Sequence, residues 1–316
     1  MGQDGSVNTP IEFGIYLPQL AAGVDELIDR AQAAERVGFD SLWLFDHLYG
    51  PGAPDVVAYE GWVLATTLLV RTSRLRVGHL VNCNNFRHPA VLAKMAATLD
   101  VVSNGRLEFG LGSGSYEAEH VQAGLPWGSA KERTERLAEA LEIVTRMFAG
   151  SRASFDGRHY QLRDLPTTPA PVQTPHPPIH IGGVGPTTRR LAAKYADVWN
   201  IPTYALDRVT DLMSAVDQEC ERIGRDPATL RRSIEAVLVT ATADRLDKAL
   251  EVGRRRYGGP GYGLEAGGFV GSPEQIVDRI GELASAGFGT FIFMTHDRAD
   301  PVTLELFAAD VMPAFR

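Results

Sequence analysis

The sequence predicts an α/β fold, a (β/α)8 TIM barrel with inserted loops. Short apolar, β-branched or aromatic runs alternate with helix-period patterns eight times along the 316 residues. Strand followed by helix, repeated in this way, implies parallel strands joined by right-handed crossovers. The first strand runs into LPQLAAG instead of G-x-G-x-x-G, so the signature of an open dinucleotide-binding sheet is missing. At this length, closure into a barrel is the simplest arrangement left.

Each element has its own signal. The first strand is Glu12–Pro18, and the helix Val24–Val37 ends at Gly38, where a C-terminal cap wants positive φ. Ser41–Phe45 is the second strand, followed by a helix over Tyr59–Arg71. The third is Leu75–Val81, with a helix from Pro89 to Val102. Arg106–Leu111 and the helix Lys131–Phe148 form the fourth unit. Pro178–Ile181 is a short buried strand that empties into Gly182, Gly183 and Gly185. Pro186 then opens the helix Pro186–Ala196, at a position where its missing N–H costs nothing. The sixth unit joins Val198–Ile201 to Asp207–Ile223. The seventh strand, Ser233–Thr242, leads into helical stretches at Asp244–Arg256 and Pro273–Ala286. Thr290–Thr295 is the eighth, and Pro301–Val311 closes the chain. Two segments exceed a tight connection, 150–177 and the glycine-rich 254–272. The second reads either as a lid whose tyrosines cover a ligand or as a disordered insert. One barrel domain is expected over 12–316, behind a flexible lead-in at 1–11.

A chain that is 44% hydrophobic can bury a large core, and its net charge of −8 argues against nucleic acid or an anionic membrane as the main partner. Cys83 and Cys220 share no metal-type spacing and imply no disulfide framework. Cys83 is read as an incidental thiol in a polar turn. No apolar run approaches the ~20 residues that span a bilayer. The N-terminus lacks the basic and apolar regions of a secretory signal, and Met1-Gly2 with Ser6 is poor support for a lipid anchor. A soluble, cytoplasmic protein is expected.

Residues just past the strands form the candidate site, because barrel enzymes work at the C-terminal ends of their strands. The second strand delivers Asp46 and His47. A histidine there can hand over a proton or donate a hydrogen bond, or Asp46 can simply cap a turn beside a solvated His47. The third delivers Asn82 to Asn85, the fourth Gly112, Ser113, Gly114, Ser115 and Tyr116, and the eighth His296 and Asp297. His79, inside the third strand, reads as a hydrogen-bonded core residue, and His88 as a loop residue before Pro89. The glycines after the fifth strand expose backbone N–H groups at a helix N-terminus, which suits a phosphate. An ordinary strand-to-helix turn uses the same residues. Small residues in GLGSG (110–114) let a flat ring or a backbone-bound ligand come close. No His/Glu spacing of a metal site and no G-x-S-x-G elbow is present, so neither a metal nor serine hydrolase chemistry is expected.

Taken together, FGIYLPQ, ERVGFDSLWLFDHL, RLRVGHLVNCNNFRHPAVLAKMAATLDVVSNGRLEFGLGSG, IHIGGVGPTTRRLAAKYADVWN and GSPEQIVDRIGELASAGFGTFIF resemble the luciferase-like monooxygenase superfamily. The resemblance is strongest to its deazaflavin (coenzyme F420) dependent oxidoreductases. It implies a TIM barrel with the flavin-like ring over the C-terminal mouth, backed by a non-proline cis peptide near Leu80–Asn82, with Val81 between them. It implies a phosphate at Gly182, Gly183, Val184 and Gly185, and places Asp46 and His47 beside the reactive ring. Gly112, Ser113, Gly114 and Tyr116 complete the expected cofactor contacts. Deazaflavin sugar-phosphate dehydrogenases carry a glutamate where this chain has Ser115, which argues against that subgroup; Glu117 and Glu119 follow.

Three functions compete. The first is hydride transfer between coenzyme F420 and a small organic substrate, with His47 as acid or hydrogen-bond donor and Asp46 orienting it or touching the ring. The second is an FMN-dependent monooxygenase using oxygen, which differs because a deazaflavin lacks the ring nitrogen that supports oxygen activation. The third is a non-catalytic flavin-binding protein. Apolar residues on the second and third helices suggest a homodimer.

Overall fold

In a computed structural model of the chain, residues 10–259 and 262–316 are described. The lead-in expected over 1–11 lies outside them except for Pro10 and Ile11. In chain order the elements are β1 (Glu12–Tyr16), α1 (Val24–Val37), β2 (Ser41–Leu44), α2 (Gly61–Arg71), β3 (Arg76–Cys83), α3 (Pro89–Ser103), β4 (Leu107–Gly112), α4 (Glu117–Gln122) and α5 (Ala130–Ala149). There follow β5 (Arg152–Asp156), β6 (Gln161–Pro166), β7 (Ile179–Gly182), α6 (Pro186–Tyr195), β8 (Val198–Pro202), α7 (Val209–Arg222) and β9 (Arg231–Thr240). The chain ends with α8 (Leu246–Tyr257), α9 (Leu264–Gly267), β10 (Phe269–Gly271), α10 (Pro273–Ser285), β11 (Thr290–Thr295) and α11 (Pro301–Asp310). Strands β9, β11, β1, β2, β3, β4, β7 and β8 pair in that order, and β8 pairs back onto β9. All these pairs are parallel, so the sheet closes into the expected eight-stranded barrel.

Alternation along each strand separates two cores. Ile15, Leu42, Val77, Phe109, Ile179, Ile234 and Phe291 point outward and join the apolar faces of the helices in one cluster. Helix α1 buries Leu27, Ile28, Ala31 and Ala34 on one stripe and stops at Gly38, whose φ of 97° is the left-handed cap read from the sequence. The opposite faces of the strands line the barrel, and there the residues are far more polar. Glu108 on β4 bonds His180 on β7 at 2.6 Å and also receives the Arg76 guanidinium from β3. The His180 ring stands edge-on to Trp43, centroids 4.6 Å apart. Ser233 donates to Asn200 at 2.8 Å. This network closes the lower barrel, beneath an apolar layer of Trp43, Leu80 and Ile292.

The two long segments are more ordered than their composition suggests. Within 150–177, β5 and β6 form an antiparallel hairpin. Its tip is tied to α5 by Glu139, which accepts the N–H groups of Arg158, His159 and Tyr160. The described parts of segment 254–272 carry regular structure on either side of its centre. They finish α8, form α9 and add β10 alongside β9, with Tyr257 and Phe269 buried. Pro260 and Gly261, at its centre, lie outside the described residues. Strand β3 runs through to Cys83, so that thiol sits in a buried strand end and not in a polar turn. Burial pushes it up to about 12, which leaves it protonated and unreactive at neutral pH.

Candidate active site

Three groups meet at the C-terminal mouth. The first is the histidine after β2. His47 Nδ1 lies 2.8 Å from the Glu119 carboxylate, which also accepts the Leu48 N–H at 3.0 Å. Glu119 is 1% exposed on the short helix α4, whereas the His47 side chain keeps 19%. A carboxylate only accepts, so Nδ1 carries a proton and Nε2 is the nitrogen free to gain or lose one. The partner expected for His47 was Asp46, and that pairing does not form. Asp46 is buried and binds Arg87 through both oxygens, at 2.7 and 3.0 Å, while accepting the Cys83 N–H at 2.8 Å. These bonds pin the end of β3 against the start of α3, and none of them goes to the His47 ring.

The second group is the β3 wall. The Leu80–Val81 peptide is cis, as expected, and the pairing of β3 with β4 shifts register there. Leu80 faces the barrel with Trp43 and Ile292. The glycines of β4 were expected to admit a ligand; what they admit is Val81. A Cβ on Gly112 would lie 2.5 Å from Val81 Cγ2, and one on Gly110 would lie 3.1 Å from Cγ1 and 2.1 Å from the His79 carbonyl. Asn82 also departs from its expected part in the site, since its side chain accepts Trp62 Nε1 and donates to the Gly110 carbonyl, both at 2.7 Å. His79 turns outward and stacks on Trp62, and neither ring nitrogen finds the hydrogen bond expected of it among the described residues. Beyond β4, Gly114 (φ 85°) packs near Cys83 and Trp127, Tyr116 meets Tyr49 edge-on at 6.0 Å, and Ser113 stays partly exposed at the mouth.

The third group is the β7–α6 turn. Gly183 has φ 116°, a conformation that favours glycine, and its N–H bonds the Asn200 carbonyl. A Cβ at Gly182 or Gly185 would meet only ordinary van der Waals contacts, so neither position is crowded. Gly185 offers α6 no side-chain cap, and Pro186 occupies its first position. The N–H groups of that first turn therefore have no side-chain acceptor there, and Arg189, which bonds the Val184 carbonyl at 2.5 Å, adds positive charge. A phosphate-bearing, ring-containing cofactor fits this combination: an open anion cradle on one side and an apolar floor with a proton-carrying histidine on the other.

Sequence reasoning missed Glu119 as the partner of His47 and Arg87 as the partner of Asp46. Both are set by a chain reversal that local patterns do not encode. Helix α4 is six residues long, too short to show a periodicity.

A parallel barrel with a carboxylate-held histidine and an uncapped, glycine-bounded helix N-terminus at one mouth has the build of a TIM-barrel enzyme. The chain belongs to the luciferase-like monooxygenase family, whose model matches residues 5–262. It is 29% identical to the F420-dependent glucose-6-phosphate dehydrogenase of Microbacterium testaceum, over 97% of this chain and 98% of that one. It is 28% identical to the F420-dependent hydroxymycolic acid dehydrogenase of Mycobacterium tuberculosis, over 96% and 88%. A solved F420-dependent secondary alcohol dehydrogenase, in complex with an F420–acetone adduct, shares the fold with a TM-score of 0.84 and 20% identity, over 97% of this chain and 99% of that one.

Proposed function

We propose that this protein is a coenzyme F420-dependent oxidoreductase acting on a small organic substrate. The observation that carries the reading is the uncrowded Gly182–Gly185 turn at the uncapped α6 N-terminus, which suits the phosphate of such a cofactor. Relatives aligned over nearly the whole chain are F420-dependent dehydrogenases, which supports it. When bound, the deazaflavin supplies hydride chemistry. The chain's own residues do the rest. Leu80, Trp43 and Ile292 form a dry floor, the α6 turn holds the anionic tail, and His47 Nε2 exchanges a proton with Glu119 holding the ring.

Fluorescence titration tests the cofactor: F420 is expected to bind with micromolar or tighter affinity, and FMN more weakly. Gly183→Val forces a β-branched side chain into a φ of 116° beside Thr188. Affinity for F420 should fall at least tenfold, about 1.4 kcal/mol, with the fold retained. Tight FMN binding without F420 binding would overturn the reading, and normal F420 affinity in the variant would move the phosphate elsewhere.

We also propose that the protein is a homodimer through α2 and α3. Val63, Val70, Val91 and Val102 on these helices are 54–70% exposed, around a groove lined by Trp62, Met95 and Leu99. Exposed apolar side chains gathered on two neighbouring helices favour a protein partner there. Val63→Glu with Val102→Glu should shift the mass measured by light scattering from dimer to monomer; a wild-type monomer would refute the proposal. No helix among the described residues is long and apolar enough to cross a membrane. Two free, buried cysteines support a reducing, cytoplasmic setting.

A further inference from the structure

A cavity of about 600 Å³ lies between α8 and α11, a volume in the range of small-molecule pockets. Ala241 and Thr242, just after β9, and His296 and Asp297, just after β11, line it together with the two helices. Arg245, Lys248, Ala249, Val252, Arg255 and Arg256 recur at helical spacing, so one face of α8 supplies them all. Another face of α8 turns to the barrel strands, where Leu250 and Tyr257 pack with Val237, Val239 and Met294. Neither His47 nor any residue of the β7–α6 turn lines the cavity.

Its charge runs against that of the molecule. The chain carries a net −8, yet four cations and a single acid line this cavity. Lys248 and Arg255 have no ion pair or hydrogen bond among the described residues. Arg245 reaches only its neighbour Asp244, at 3.9 Å, with both side chains exposed. Arg256 donates to the His296 carbonyl at 2.7 Å, and burial, then the charge of Arg298, pushes its guanidinium below its ordinary value. Asp297, the acid, is taken by the hydroxyls of Thr295 and Thr303 at 2.8 and 2.6 Å. His296 is 7% exposed, and its Nδ1 has no hydrogen-bond partner among the described residues. Its Nε2 stands 3.8 Å from Asp297, beyond hydrogen-bonding reach. Burial lowers the ring below its ordinary value, so at neutral pH it is uncharged and carries one N–H for an acceptor. Beside these groups the lining is apolar, with Ala249, Val252, Leu306 and Val302, the last 60% exposed.

We infer that the α8–α11 cavity is a binding site for a small organic anion, a carboxylate or phosphate head on an apolar body, separate from the cofactor's site. Lys248, Arg255 and Arg256 supply the positive charge and the N–H donors that such a head requires. Cations grouped in a cleft also draw an anion in, against the negative field of the rest of the molecule. Val252, Val302 and Leu306 give the apolar body a surface to cover, and His296 gains the partner that the fold leaves it without. The glycine turn at α6 follows β7, and β8 separates that strand from β9, so the two anion sites stand apart around the barrel. The inference does not rest on the F420 reading.

Calorimetric titration of the full chain with octanoate, phenyl phosphate and octan-1-ol tests the site. At least one of the two anions is expected to bind with a dissociation constant of about 1 mM or tighter, more weakly as salt is raised. Whichever anion binds more tightly names the head group, and either order upholds the site. Octan-1-ol, which has the body without the charge, should bind at least about tenfold more weakly than octanoate. Lys248→Gln with Arg255→Gln changes two exposed side chains and removes only their charge. It should weaken the tighter anion about tenfold and leave the melting temperature and F420 affinity unchanged. The absence of binding by both anions overturns the inference, and so does octan-1-ol binding as tightly as octanoate. Unchanged anion affinity in the double variant places the anion elsewhere and overturns it too. Displacement of the bound anion by F420 gives the cavity to the cofactor and overturns a separate site. A wild type that binds the anion but not F420 upholds this site and overturns the cofactor reading alone.

Discussion

Turnover in His47→Ala is expected to fall by about 10²-fold or more, the scale of losing a general acid or base, with F420 affinity and folding kept. The side chain sits at the mouth, outside the barrel core, and its loss still leaves Glu119 the Leu48 N–H as a partner. Glu119 gives the prediction a second handle. Its carboxylate fixes the ring through Nδ1 at 2.8 Å and is itself held by the Leu48 N–H, so charge and orientation reach His47 through one group. Glu119→Gln should therefore lower kcat, with KM moving little. The double variant should be no slower than His47→Ala, because residues that act as a unit are not additive. Wild-type turnover in His47→Ala would return the histidine to a solvated turn residue and send the search for the proton donor to His296.

Most of the scaffold was legible because it rests on local signals. Alternation located all eight barrel strands, Gly38 announced its cap, and Pro89 and Pro186 opened the helices that follow them. The β7 glycines were legible too, since a strand, a glycine run and a helix-opening Pro are adjacent in sequence. What escaped depends on partners far apart in the chain. Asp46 and His47 are neighbours, and their natural reading was as a pair; the fold sends one to Arg87, 41 residues on, and the other to Glu119, 72 residues on. The glycines of β4 carried a correct demand for space and the wrong occupant, because only the register of β3 on β4 puts Val81 above them. Asp156-Gly157 was a hairpin signal that the surrounding Arg, His and Pro obscured, and Glu139 on α5 completes what the turn begins.

The barrel floor should respond as strongly in stability as the mouth does in rate. Glu108→Ala is expected to cost about 3 kcal/mol, the low end for breaking a buried ion pair. The low end applies because the Arg76 guanidinium keeps partial exposure. Burial pushes the Glu108 carboxyl up, but the hydrogen bond and charge of His180 and the charge of Arg76 outweigh it, and it ends below its ordinary value. A carboxyl lowered on folding stabilises the native state above its unfolded pKa of about 4.3 and loses that contribution as pH falls through the folded value. Glu108→Gln keeps the shape and removes the charge, so its deficit against wild type in urea should be full at pH 7 and shrink steadily below pH 4. The consequence for function is steric. His180 stands edge-on to Trp43, and Trp43 with Leu80 and Ile292 is the floor on which the proposed ring rests. Loss of Glu108 should thus weaken F420 binding together with stability, at a site beneath the floor. A deficit of equal size at pH 7 and pH 3 would show that Glu108 acts through packing, with no contribution from its charge.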